Sequence, residues 1–246
     1  MNRRAILALI AALLALPPNA LATPERAPAA ACPPAADFET PDEPLENLAA
    51  AIKTRHAVEV VALGSASTVT HGEDGFPNYM IKALTAALPH VSWHLTVRGG
   101  RGVTAAAMLD ELQVVLKHGP VGLVVWQTGT VEAVRGIHPQ ELREVLEEGA
   151  DLVSAQGGDI VLVDPQFSRF LRANTNLEPY EQAMATAATM PGIGLFHRFD
   201  LMHSWVDGGM LDLERTAVAE QPGAMVLLNR CIGQALGRFI VNGLER

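Results

Sequence analysis

Two serines flank an alanine at the end of an apolar, β-branched run. Val58 to Leu63 leads into Gly64-Ser65-Ala66-Ser67-Thr68. A central parallel strand ending this way delivers a nucleophile to the mouth of an α/β site. The middle residue, Ala66, has only a methyl group and cannot attack a carbonyl. Ser65 or Ser67 would have to act as a displaced nucleophile, with His71 a few residues on as the base. The competing role for both serines is to cap the backbone that follows. Three further groups of residues have chemistry to offer. His197, Asp200 and His203 have the i, i+3 spacing that places metal ligands or an acid–base pair on one helix face; surface or hydrogen-bonded residues show the same spacing. Asp164 and Gln166 follow one apolar run, and Gln127 and Thr128 follow another. Arg98 and Arg101 surround a glycine turn, Gly99-Gly100-Arg101-Gly102. Together these suit a polar cleft for hydroxyl-rich or carboxylate ligands, unless Asp164 and Gln166 only hold their own loop. No metal site and no cofactor is expected.

The elements that must position these residues are legible as alternating strands and helices. Strands are predicted over Val58–Leu63, Val91–Val97, Val121–Trp126, Asp159–Val163 and Ile193–Phe196. The third is apolar on both faces, as a buried parallel strand is. Helices are predicted over Leu45–Arg55, Phe76–Leu88, a stretch carrying Met108, Leu109, Leu112, Val115 and Leu116, a stretch opened by Pro139, Leu177–Thr189 and Gly223–Val241. Met202, Trp205, Met210 and Leu211 form an apolar cluster that packs on the core or covers the cleft. The alternation defines a three-layer α/β/α sandwich around a doubly wound parallel sheet. Ligands in such sheets bind at the carboxyl ends of the strands, where all the residues named above cluster.

The chain has 246 residues and a formal net charge of −9. An acidic chain without a basic run is a poor binder of nucleic acid. Residues 1–22 read as a signal peptide. Arg3 and Arg4 precede a short apolar run, and Ala20-Leu21-Ala22 offers a cleavage site. Residues 23–44, rich in Pro and Ala, read as an extended arm, and 45–246 as the folded domain. After processing no segment is expected to span a membrane, and the product is expected to be periplasmic or secreted. In that compartment the two cysteines, Cys32 and Cys231, are expected to pair; two buried free thiols are the alternative.

The order and spacing of these blocks resemble the SGNH (GDSL-type) hydrolases. The resemblance runs from about Val58 to Phe239. It rests on Gly64-Ser65-Ala66-Ser67-Thr68, Val97 to Thr104, Trp126-Gln127-Thr128-Gly129-Thr130, Asp164-Pro165-Gln166 and Arg198-Phe199. Carried over position by position, it puts the family's nucleophile at Ala66 and an oxyanion glycine at Gly102. The oxyanion asparagine falls on Val131. Aligning on Cys231 puts the catalytic histidine at Gly223. Nucleophile, asparagine and base are thus all replaced. The resemblance therefore implies an exported hydrolase-like protein without catalysis, binding an envelope carbohydrate, an acylated ligand or a protein partner through Gly102, Arg98, Gln127, Thr128, Asp164 and Gln166. The alternative is an ester hydrolase, a carbohydrate deacetylase or esterase, using Ser65 or Ser67.

Overall fold

The computed structural model describes residues 31–245. The proposed signal segment lies outside them. The helices and strands, in chain order, are α1 (Glu46–Arg55), β1 (Ala57–Gly64), α2 (Ala66–Val69), α3 (Phe76–Ala87), β2 (Ser92–Gly99), α4 (Ala105–Leu116), β3 (Leu123–Gln127), α5 (Thr130–Arg135), α6 (Pro139–Ser154), β4 (Asp159–Val163), α7 (Arg169–Asn174), α8 (Glu178–Ala187), β5 (Ile193–Phe196), α9 (Arg198–Asp207) and α10 (Gln221–Leu244). The strands form one parallel sheet in the order β2-β1-β3-β4-β5. The order reverses between β1 and β3, and this is where an open α/β sheet has its crevice.

Strand alternation sends successive side chains to opposite faces, and each face has its own core. Val58, Val60, Leu123, Val125, Val161 and Val163 pack against α1, α3, α9 and α10. Val61, Leu63, Val124, Trp126, Ile160 and Leu162 pack against α4, α6 and α8. The three-layer sandwich and all five strands match the expectation from sequence. Four short or polar helices, α2, α5, α7 and α9, were not anticipated, because none repeats apolar residues over enough turns to show a period. Of the apolar cluster, Met202, Trp205 and Leu211 are buried in the core and Met202 and Leu211 also line the cavity described below, while Met210 is exposed.

Among the described residues, α10 is long and apolar enough to span a bilayer by length and composition. Its apolar side is instead used within the domain. Leu228, Ile232, Ala235, Leu236, Phe239 and Ile240 are buried in the first core, and Gly233 and Gly237 let α3 approach closely.

Cys32 and Cys231 form a disulfide across 199 positions of sequence. In the chain-entropy model a closure of that length contributes about 5 kcal/mol by restricting the unfolded chain. The arm is not simply extended over the surface, as the Pro and Ala content suggested. Over 31–44 it makes a short 3-10 turn at Ala36–Phe38 and buries Ala35 in the first core. Trp205 Nε1–H donates to Pro34 O at 2.7 Å, and Arg238 pairs with Glu39 at 2.6 Å.

Candidate functional site

The carboxyl ends of β1, β3 and β4 open into a cavity of about 670 Å3. Its floor is the turn after β1. Gly64 is required there, because a Cβ on it would overlap Thr68 Oγ1. Ser65, Ala66 and Ser67 all line the cavity, as do Gly102 and Val131. The turn is organised by the buried side chain of Gln127 at the end of β3. Its Oε1 accepts from Ser65 N–H at 3.1 Å. Ser65 Oγ, Ser67 Oγ and Thr68 Oγ1 also lie within 3.0–3.2 Å of it. One amide oxygen has two lone pairs, so these hydroxyls share it and are positioned rather than activated.

Ser67 has a second partner. Arg198, at the start of α9 and only 2% exposed, donates from Nη1 to Ser67 Oγ at 3.3 Å and from Nε to Asp164 O at 3.1 Å. Burial lowers its pKa to about 10, against the opposing pull of Asp164, so it remains charged at neutral pH. Where a serine hydrolase needs a neutral base to accept the hydroxyl proton, this chain places a cationic donor. His71 is the histidine in the cavity wall. Among the described residues, no histidine hydrogen-bonds Ser65 or Ser67.

The other sequence-derived residues divide by location. Gln166 lines the cavity. Thr128 is buried and donates to Glu132 Oε2 at 3.2 Å, which makes it structural. Arg98 does not join the cleft: its guanidinium donates to Val97 O and lines a separate depression with Glu59 and Thr96. The extended backbone of β2 sends alternate residues to opposite faces, so the glycine turn does not bring Arg98 and Arg101 together, and only Arg101 reaches the cavity. Gly223 is exposed in the first turn of α10 and is not among the cavity residues. The loop before α10 contributes Leu211, Asp212, Leu213 and Glu214 to the wall instead. Asp164 is buried behind the cavity and accepts from Phe199 N–H at 2.8 Å. The histidines around β5 have different partners. His203 stacks on Phe167 with ring centroids 4.5 Å apart, and His197 Nδ1 lies 3.7 Å from Asp164 Oδ2. Among the described residues, no cluster of His, Cys, Asp and Glu is arranged to hold a metal.

The pairing with Asp164 raises the His197 pKa above 6.5, against the opposing effect of burial. The folded state therefore favours protonated His197. That contribution is fully present below pH 6.5 and is lost as pH rises through the raised folded value. His197→Asn is expected to flatten the fall in thermal stability over this window. An NMR titration of the wild-type imidazole should show a midpoint above 6.5; one at or below it would contradict this.

Sequence reasoning missed two residues of the cavity wall, Arg198 as a charged group and Asn229, and one that braces neighbouring helix starts, Glu132. Glu132 left a signal, since an acid three residues after Gly129 is half of a capping box. Asn229 lies within the apolar period of α10, and Arg198 was noted only as part of an Arg-Phe pair. Nothing in their spacing marks them as cavity residues.

A parallel sheet in this order, with a crevice after β1 and β3, is a doubly wound α/β fold, and solved hydrolases share it. A catalytic mutant of Axe2, an acetylxylan esterase from Geobacillus stearothermophilus, superposes with a TM-score of 0.56 at 14% identity, covering 73% of this chain and 94% of that one. LAE5, an alpha/beta hydrolase enzyme from the metagenome of Lake Arreo, Spain, gives 0.54 at 16% identity over 71% and 96%. TesA gives 0.53 at 21% identity over 68% and 93%. At these identities the likeness is one of fold. No curated protein sequence matches the chain. The family model of the non-GDSL lipase-like family matches residues 31–246, and the chain belongs to that family.

Proposed function

We propose that this protein is an exported, non-hydrolytic member of the lipase-like fold that uses the old active-site cavity to bind a ligand. The observation that carries the reading is the treatment of the serines. Ala66 occupies the nucleophile position, and Ser67, its hydroxyl neighbour, accepts a hydrogen bond from a buried arginine. Losing the nucleophile and base of a triad together removes nearly all of its rate enhancement. Val131, at the oxyanion position, has no side-chain donor for a developing negative charge. The Cys32–Cys231 disulfide and the apolar stretch near the N-terminus accord with export to the periplasm or beyond. An acyl-bearing envelope component suits the apolar wall better than a bare carbohydrate does, because Phe167, Met202, Leu211, Met225, Leu228 and Ile232 line it.

The test is direct. The disulfide-bonded mature chain is incubated with short-chain p-nitrophenyl esters, acetylated sugars and a serine-reactive phosphonate. Turnover is expected to match buffer, with no covalent adduct by mass. Ala66→Ser alone is expected to stay inactive, because no base accompanies it. Turnover that disappears in Ser65→Ala or Ser67→Ala would overturn the reading and establish a displaced nucleophile.

A further inference from the structure

Among the described residues, the cavity wall contains three buried donor atoms with nothing to donate to, one of them Thr130 Oγ1. The other two are Arg198 Nη2 and Asn229 Nδ2, and both residues line the cavity. Arg198 is 2% exposed and Asn229 is 4% exposed. Leaving such a donor unpaired is costly, more so for a charged group, so each is a place where an incoming acceptor recovers energy. The guanidinium is fixed by its other two nitrogens. Nε is held by Asp164 O and Nη1 by Ser67 Oγ. Ser67 and Arg198 both line the cavity, and Nη2 is the guanidinium nitrogen left without a partner in its wall. A rigidly held guanidinium with one nitrogen free offers a charge-assisted hydrogen bond to a carboxylate oxygen.

Arg198 and Arg101 are the cavity cations not paired with an acid of the same wall, although the buried Asp164 offsets part of the charge on Arg198. The two acids on the same wall, Asp212 and Glu214, are already engaged by Arg169 at 2.8 and 3.4 Å. Beyond the polar end the lining is apolar, with Met202, Leu228 and Ile232 on one side. At the rim, Phe170 and Val134 are 70% and 61% exposed. Large apolar side chains left open beside a cavity suit a ligand whose apolar body extends out of it.

We propose that the cavity binds an amphiphilic monocarboxylate, with its carboxylate on Arg198 and Asn229 and its apolar chain running along Met202, Leu228 and Ile232 toward Phe170. This rests on the non-hydrolytic reading, since a free acid is held rather than an ester cleaved.

Isothermal titration of the mature, disulfide-bonded protein with decanoate, decanol and butyrate separates the contributions. Decanoate is expected to bind saturably. Decanol, with the same chain and no charge, and butyrate, with the charge and little chain, are each expected to bind at least about 10-fold more weakly. Arg198→Met is expected to weaken decanoate by about 10- to 100-fold and leave decanol unchanged. Asn229→Leu is expected to weaken decanoate by about 3- to 10-fold. If Arg198→Met does not fold, as circular dichroism would show, Asn229→Leu with the decanol comparison decides. No saturable decanoate binding, equal affinity for decanol, or affinity unchanged in the folded variants would overturn the proposal. Ester turnover in the previous assay would overturn the non-hydrolytic reading separately, so the two failures are distinguishable.

Discussion

Gly99→Ala is expected to lower the stability of the domain by about 2–6 kcal/mol, combining backbone strain with steric overlap. Gly99 ends β2 directly beside Gly64, the end of β1. Its φ of +116° lies where L side chains rarely go, and a Cβ placed on it would overlap the carbonyl oxygen of Gly64. That oxygen is the acceptor for Gly100 N–H at 3.1 Å, so the clash falls on the hydrogen bond that joins the two strand ends. Backbone cannot swing aside as a long side chain does. The cost is a large part of the 5–15 kcal/mol typical of a folded domain. Gly100→Ala is the control. Its φ is not in the left-handed range, and the nearest neighbour is a methyl group of Val103 at 3.3 Å; it is expected to cost about 1 kcal/mol or less. Urea denaturation of the three proteins measures the difference. Equal midpoints for the two variants would show that the strand ends are not tightly opposed.

Glu132→Ala is expected to cost about 3–5 kcal/mol, because it strips a buried acceptor from several donors at once. Glu132 is 1% exposed. Oε1 accepts from Ala105 N–H at 2.6 Å, and Oε2 from Gly129 N–H at 2.9 Å and Thr128 Oγ1–H at 3.2 Å. Ala105 is the first residue of α4 and Gly129 precedes α5, so one carboxylate closes the amino ends of two helices whose partial positive charge favours it. Without it, two backbone N–H groups lose their acceptor. Glu132→Gln keeps one oxygen and is expected to lose about half as much. Denaturation gives the magnitudes, and amide exchange should quicken first at Ala105 and Gly129. Unchanged exchange at both would refute the role.

How far the sequence reached follows from which forces leave a period. β1, β3 and β4 are runs of apolar residues, and α3, α4, α6 and α10 repeat apolar residues every three to four positions; burial of those residues is what builds the sheet and its layers. The turn after β1 was equally plain, since Gly64 and the small residues after it have few alternative uses. Arg198 and Asn229 are different. A buried polar group is placed by partners far away in sequence, such as Ser67 and Asp164 for Arg198, and no local spacing encodes that. Gly223 illustrates the opposite error. Alignment on Cys231 carried a catalytic position onto a residue in the first turn of α10, because the start of that helix, at Gln221, was not marked by an apolar repeat. Arg98 was misplaced by treating a glycine turn as if all its neighbours faced one way.

The link between Cys32 and Cys231 bears on the order in which the chain can close. A chain that emerges amino end first presents Cys32 early and Cys231 only after every strand of the sheet has appeared. The first thiol must therefore wait, unpaired, while the whole sheet is laid down. Once the second arrives on α10, the bond joins the two ends of the domain, and local fraying at either end no longer separates the arm from the last helix. A molecule truncated before α10 has no partner for Cys32 and keeps a free thiol.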